Sequence, residues 1–137
     1  MTDISVSMGI ILDPEGRILI AKRSLKKYFG GLWEFPGGKK ESNESPSDAL
    51  IRELKEELSI EIKVLRVYQS YTYSDEEIDI IFHPIHCSIV GGQLKNNEHE
   101  EVKYITKKEI NNYDFAPPDY VAVDLLKREY SQMVLQT

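Results

Sequence analysis

The chain has 137 residues, 41% of them hydrophobic, with 23 acidic against 17 basic side chains, a formal net charge of −6 and a single cysteine. That length suits one domain over residues 1–137, burying roughly two-thirds of its unfolded surface. The acidic balance argues against a duplex nucleic acid partner, which needs a basic footprint; one cysteine excludes an intramolecular disulfide and suits a reducing cytoplasm; and nothing approaches the ~20 apolar residues of a membrane span.

Asp3 interrupts any leader-like start and no cleavage site follows, so no signal peptide is expected. Residues 4–12 cluster and alternate apolar side chains as a strand does. Asp13-Pro14-Glu15-Gly16 is a turn, and residues 17–22 return as a second strand. Residues 24–31, with Lys26, Lys27, Gly30 and Gly31, read as an exposed loop. A helix is predicted over 45–58, with Ser45 as N-cap, Pro46 at the first helical position and Asp48 where the acid of a capping box belongs. Strands follow over 62–73 and 78–90, with Gly91-Gly92 breaking the pattern. A short strand covers 102–105, and Pro117-Pro118 opens a last helix with Val121, Leu125 and Leu126 at helical spacing. Strands interrupted by two helices predict an α/β sandwich.

The first helix carries the chemistry. At about 100° per residue, Glu53, Glu56 and Glu57 fall within an arc of roughly 100°, while Leu50, Ile51, Leu54 and Leu58 form an apolar stripe elsewhere. Like charges three and four residues apart cost a helix a few tenths of a kcal/mol per pair. A solvated acidic face is the plain alternative. A cation-binding face explains the cluster better, because hard divalent ions such as Mg2+, or Mn2+ in its place, take carboxylate oxygens. Gly37-Gly38 just upstream lets backbone approach a ligand closely. An acidic face can receive a polyphosphate only when metal ions offset the repulsion.

Gly38, Glu44, Arg52, Glu53, Leu54, Glu56, Glu57 and Ile60 stand at the spacing of the Nudix box, here residues 38–60, and the stretch resembles that signature of the Nudix hydrolases. One position departs: Ser59 stands where the family has a helix-closing glycine, at an expected cost of ~1 kcal/mol or a different exit. Leu32-Trp33-Glu34-Phe35-Pro36-Gly37-Gly38-Lys39 resembles the lead-in of the MutT-type nucleoside triphosphate pyrophosphohydrolases. Asp114-Phe115-Ala116-Pro117-Pro118-Asp119 is similar to their base-recognition segment. The resemblance implies the Nudix α/β/α sandwich with a mixed sheet, and metal-dependent hydrolysis of a nucleoside triphosphate to monophosphate and pyrophosphate in the cytoplasm.

It also implies roles. Glu53, Glu56 and Glu57 are the expected metal ligands, with a backbone carbonyl of Gly38 or Gly37. Arg52 and Glu44 orient them, since outer partners hold ligands in place. Glu98 is the expected general base and a further metal ligand, although Glu100 and Glu101 beside it keep the same claim. Arg23 and Lys39 face phosphate oxygens, with a solvated charge the plain alternative for Arg23. Phe35, Tyr73 and Asp119 contact the nucleotide; Tyr68 and Tyr71 read as packing. His83 and His86 point to opposite faces of a strand and make no metal site, and Cys87 reads as a buried thiol.

An ionised Asp119 only accepts hydrogen bonds, which favours a base with an amino edge, cytosine or adenine, as in the CTP pyrophosphohydrolase-like branch. A protonated Asp119 undoes that preference and keeps 8-oxo-dGTP as the alternative. Sugar-nucleotide or dinucleoside polyphosphate hydrolysis, ADP-ribose included, and a non-catalytic nucleotide-binding module are the competing classes. A module that had given up catalysis would have lost acidic ligands, and this chain retains them. Monomer and homodimer are equally compatible with the sequence.

Overall fold

The structure, a computed structural model, describes residues 4–137; Asp3, read above against a leader, lies outside them. Strand β1 (Ser5–Ile11) runs parallel to the long β7 (Asp79–Gly92) and antiparallel to β4 (Gly37–Lys39). The far edge of β7 pairs antiparallel with both β5 (Ile60–Val67) and β6 (Tyr71–Ser74), which completes a mixed five-stranded sheet. A smaller antiparallel sheet places β2 (Ile18–Lys22) between β3 (Trp33–Glu34) and β8 (Glu101–Ile105). Helices α1 (Pro46–Leu58) and α2 (Tyr120–Gln136) supply the α layers.

Strand alternation divides the core between those layers. Ile10, Ile18 and Ile20 pack with Ala122, Leu126 and Met133 of α2. Ile11 and Leu19, each the next residue along its strand or between two of those, pack instead with Leu50, Leu54 and Leu58 of α1. Residues 62–73, expected as one strand, form parts of two. Val67 pairs with Ile85 and Tyr71 with Phe82, so the gap lies opposite Pro84, which has no N–H to continue a ladder. Gly91 and Gly92 do not break β7; they pair with Glu61 and Ile60, and the strand ends at Gly92, whose φ is 77°. Pro117–Asp119 forms a 3-10 turn that leads into α2.

Helix α1 starts as its sequence dictates. The Ser45 hydroxyl accepts a hydrogen bond from the Asp48 N–H at 3.1 Å, and Pro46 is the first helical residue. Ser59 takes the left-handed exit expected of a glycine (φ 59°, ψ 31°), and its N–H closes onto Leu54 and Lys55 carbonyls. Among the described residues, no helix is long and apolar enough to cross a membrane.

Candidate active site

Arg52 organises the acidic face. Its guanidinium grips Glu44 through two hydrogen bonds, Nε to Oε2 at 2.7 Å and Nη2 to Oε1 at 2.9 Å. Nη1 donates to Glu53 Oε2 at 2.8 Å, and Nη2 also reaches the Lys39 carbonyl at 3.0 Å. One planar fork thus ties the box loop to the helix, an arrangement that the five donors of arginine allow and a lysine cannot reproduce. The Arg52 bonds hold the Glu44 carboxyl down to about 2. Gly38 has no side chain where the Glu53 carboxyl lies, and a Cβ there would overlap it.

The loop after β7 completes the face. Lys95 N–H donates to the Leu58 carbonyl at 2.8 Å and Asn97 N–H to the Glu57 carbonyl at 3.0 Å. The Asn97 amide reaches the Glu56 carbonyl and the Ser59 hydroxyl at 3.1 and 3.0 Å. Carbonyls left open at the end of a helix are thereby satisfied, and the same bonds bring Glu98 to α1. Glu53, Glu56, Glu57, Asn97 and Glu98 line one hollow of about 290 Å³. Glu100 and Glu101 line neither this hollow nor the adjoining cleft, so position separates Glu98 from its neighbours in the acidic run.

Among the described residues, no three carboxylate or imidazole groups stand close enough together to enclose an ion as they are. Lys27 Nζ holds Glu98 Oε1 at 2.7 Å, Arg52 holds Glu53, and Glu56 is 61% exposed. The donor set nonetheless fits a hard divalent cation. Glu57 Oε1 is buried without a hydrogen-bond partner. Burial, and then the crowding Glu98 and Glu53 carboxyls, push the Glu57 carboxyl well above the usual range. Glu98 is held below it, first by hydrogen bonding with Glu57 and then by Lys27. A buried carboxyl crowded by two others, with one oxygen unpartnered, forms a site that a cation relieves.

A cleft of about 410 Å³ shares Glu53, Glu57 and Glu98 with the hollow and is also lined by Arg23, Lys39, Gly38, Phe35 and Asp119. Arg23 is not a free surface charge: Nη1 pairs with Glu34 Oε1 at 2.6 Å and Nε donates to the Tyr28 carbonyl at 2.7 Å. Phe35 stacks on Phe115 with ring centres 5.5 Å apart. The Trp33 N–H donates to the Asp114 carbonyl at 2.9 Å and the Ala116 N–H to the Trp33 carbonyl at 2.8 Å, which docks the 114–119 segment against the lead-in. Tyr73 does not itself line the cleft; its hydroxyl bonds Asp75 and its ring meets the edge of Phe29, which does. Tyr71 stacks on Phe82 and donates to the Pro118 carbonyl at 2.7 Å, a packing role. Cys87 is a buried free thiol, and His83 is partly buried on β7 while His86 is fully so.

Burial weighs against the expectation of an ionised Asp119. Only 4% exposed, the carboxyl is pushed well above the ordinary range, first by desolvation and then by the charge of Glu34. Asp119 Oδ2 accepts the Phe35 N–H at 2.8 Å. With Oδ2 accepting from Phe35, Oδ1 is the oxygen on which a proton would sit.

Three acidic or basic residues lining the cleft carry no signal in the sequence: Lys27, Glu34 and His99. Glu34 sits inside the quoted lead-in and His99 directly follows Glu98, so their positions were in view. Nothing in one dimension indicates that they meet. His99 Nε2 lies 3.1 Å from Glu34 Oε2 and 3.7 Å from Glu57 Oε1.

A mixed-sheet α/β/α fold with a box loop, an acidic helix and a cleft between them defines a class of hydrolase, and the chain matches the NUDIX domain family over residues 1–126. It belongs to the Nudix family. It is 38% identical over 112 residues to a CTP pyrophosphohydrolase of Escherichia coli K12, covering 82% of this chain and 83% of that protein. An 8-oxo-dGTP diphosphatase of Proteus vulgaris is 40% identical over 81 residues, 58% of this chain and 72% of that one. The solution structure of the E. coli ORF135 protein superposes with a TM-score of 0.73 at 35% identity, over 90% of both chains. A MutT protein from Methanosarcina mazei Go1 shares the fold, with a TM-score of 0.78 at 23% identity over 94% and 93% of the two chains. The chain is therefore an enzyme of the Nudix hydrolase type acting on nucleotide derivatives.

Proposed function

We propose that this chain hydrolyses a nucleoside triphosphate to the monophosphate and pyrophosphate with Mg2+, in the cytoplasm, and that cytosine nucleotides are its substrates. The observation that carries the reading is one cleft bordered by Glu53, Glu57 and Glu98 and lined also by Phe35 and Asp119. Triphosphate and base would thus have separate surroundings within one cleft. The similarity to a CTP pyrophosphohydrolase supports the choice of base.

Glu53, Glu56, Glu57 and Glu98 would hold the cation, which when bound supplies charge neutralisation and a more acidic water. The chain's own residues do the rest. Arg52 and Glu44 keep Glu53 in one orientation. Lys39, and Lys27 once released from Glu98, offset phosphate charge. Glu98, held ionised, takes the proton of the attacking water as it adds to phosphorus and pyrophosphate or the monophosphate departs.

A second reading, 8-oxo-dGTP as substrate, is favoured by one observation: a neutral Asp119 offers a donor, and guanine O6 is an acceptor. Incubation with Mg2+ and CTP, dCTP, the other triphosphates, 8-oxo-dGTP, ADP-ribose and dinucleoside polyphosphates tests both. Pyrophosphate released fastest from CTP or dCTP is the expected result. Preference for 8-oxo-dGTP selects the second reading, and hydrolysis of ADP-ribose or dinucleoside polyphosphates alone overturns both. Binding without turnover of any of them overturns catalysis itself.

A further inference from the structure

The His99 side chain is turned into the protein, with only 5% of it exposed. Its Nε2 points between two carboxylates from different elements: Glu34 of β3 at 3.1 Å and Glu57 of α1 at 3.7 Å. Carboxylate oxygens accept, so the proton of the imidazole belongs on Nε2, and His99 donates to Glu34. Glu34 in turn holds Arg23 at 2.6 Å. The Nδ1 atom is buried without a partner. A polar ring kept in the interior with half its bonding unmet is costly unless the remaining contact is needed.

We infer that His99 is a positioning residue that couples the two ends of the cleft, holding Glu34 and Arg23 at the nucleotide side in register with Glu57 on the cation side. Glu98, the preceding residue in the chain, cannot be placed independently of it. Two backbone constraints strengthen the link: the Asn96 side chain accepts the His99 N–H at 2.8 Å, and the Glu100 N–H donates to the Lys22 carbonyl at 2.9 Å. The imidazole thus stands on a segment pinned to α1 before it and to β2 after it. A side chain that only filled space would have no reason to face two acids.

The inference rests on the cation-binding reading of Glu57, and its test separates the two. Mn2+ binding is measured by titration calorimetry without nucleotide, alongside kcat and KM for CTP, in wild type, His99→Leu and His99→Gln. Glutamine returns an N–H near the place of Nε2; leucine fills the volume without a donor. The expected result is about tenfold weaker Mn2+ binding in His99→Leu, the range that loss of a ligand's supporting partner produces. KM should rise more than kcat falls, and His99→Gln should recover most of both. Unchanged Mn2+ affinity and KM in a folded His99→Leu overturn this inference alone. Equal impairment in both variants reduces His99 to packing and also overturns it. Wild type that binds no Mn2+ overturns the reading of the acidic face, and this inference with it.

Discussion

Two carboxylic acids in one cleft are driven in opposite directions by their surroundings. Hydrogen bonding with Glu57 and Lys27 lowers the Glu98 carboxyl, while burial raises that of Asp119. On the function proposed above, a base that must accept a proton and a group that keeps one are thereby sorted for different tasks. Glu98→Gln is expected to lower kcat by roughly 10²–10⁴ with a smaller change in substrate affinity; steady-state kinetics with near wild-type kcat would remove Glu98 as the base. For Asp119 the prediction concerns pH. A carboxyl raised above its ordinary value of about 3.9 favours the fold fully below that pH, and the advantage is lost as pH rises through the folded value. Asp119→Asn cannot ionise, so its stability relative to wild type should rise from pH 4 upward in urea melts. A flat difference would mean that Asp119 is ionised in the fold.

At the scale of elements, helix α1 and its two flanking loops act as one unit. The Glu44–Arg52 fork closes the entry, and the 93–97 loop caps the exit. Glu44 is depressed from 4.5 to about 2, so its contribution is present above pH 4.5 and lost as pH falls toward 2. The thermal deficit of Glu44→Gln should accordingly be full at pH 6 and vanish near pH 2; a deficit independent of pH would assign it to packing. Ser59 keeps a left-handed conformation that a Cβ disfavours, and its hydroxyl accepts from Asn97. Ser59→Ala retains the strain and loses the bond, whereas Ser59→Gly loses the bond and relieves the strain. The glycine variant should therefore exceed the alanine variant by about 1 kcal/mol in urea denaturation. The reverse order would show that φ at 59 is not costly.

For the molecule as a whole, the acidic face is a concentration of negative charge built into the fold, and the proposed cation, binding only the folded chain, would offset it. Mass action then adds about 2.7 kcal/mol of stability at a hundred times Kd. Thermal melts should rise with Mg2+ and fall back with EDTA, turnover should follow the same reversal, and Glu57→Gln should lose most of both effects. A melting temperature indifferent to Mg2+ in wild type would separate the acidic cluster from cation binding.

Local patterns made much of this legible in one dimension. The cap at Ser45, the stripe of Leu50, Leu54 and Leu58, and the carboxylates at 53, 56 and 57 depend on spacing along one helix, and spacing is what a sequence states directly. The box fell into view for the same reason, since its Gly38, Glu44 and Arg52 lie within a few turns of one another. Where long-range pairing decides, the sequence is silent. The split of residues 62–73 depends on Pro84 in the partner strand, and the standing of Tyr73 outside the cleft depends on where β6 docks. Glu34, His99 and Asp119 come together from β3, the loop before β8 and the turn before α2. Their protonation and mutual distances depend on burial and on one another's charge, which arise only when distant segments exclude water together. The acidic face was therefore determined by the sequence, and the state of Asp119 and the place of His99 by tertiary structure alone.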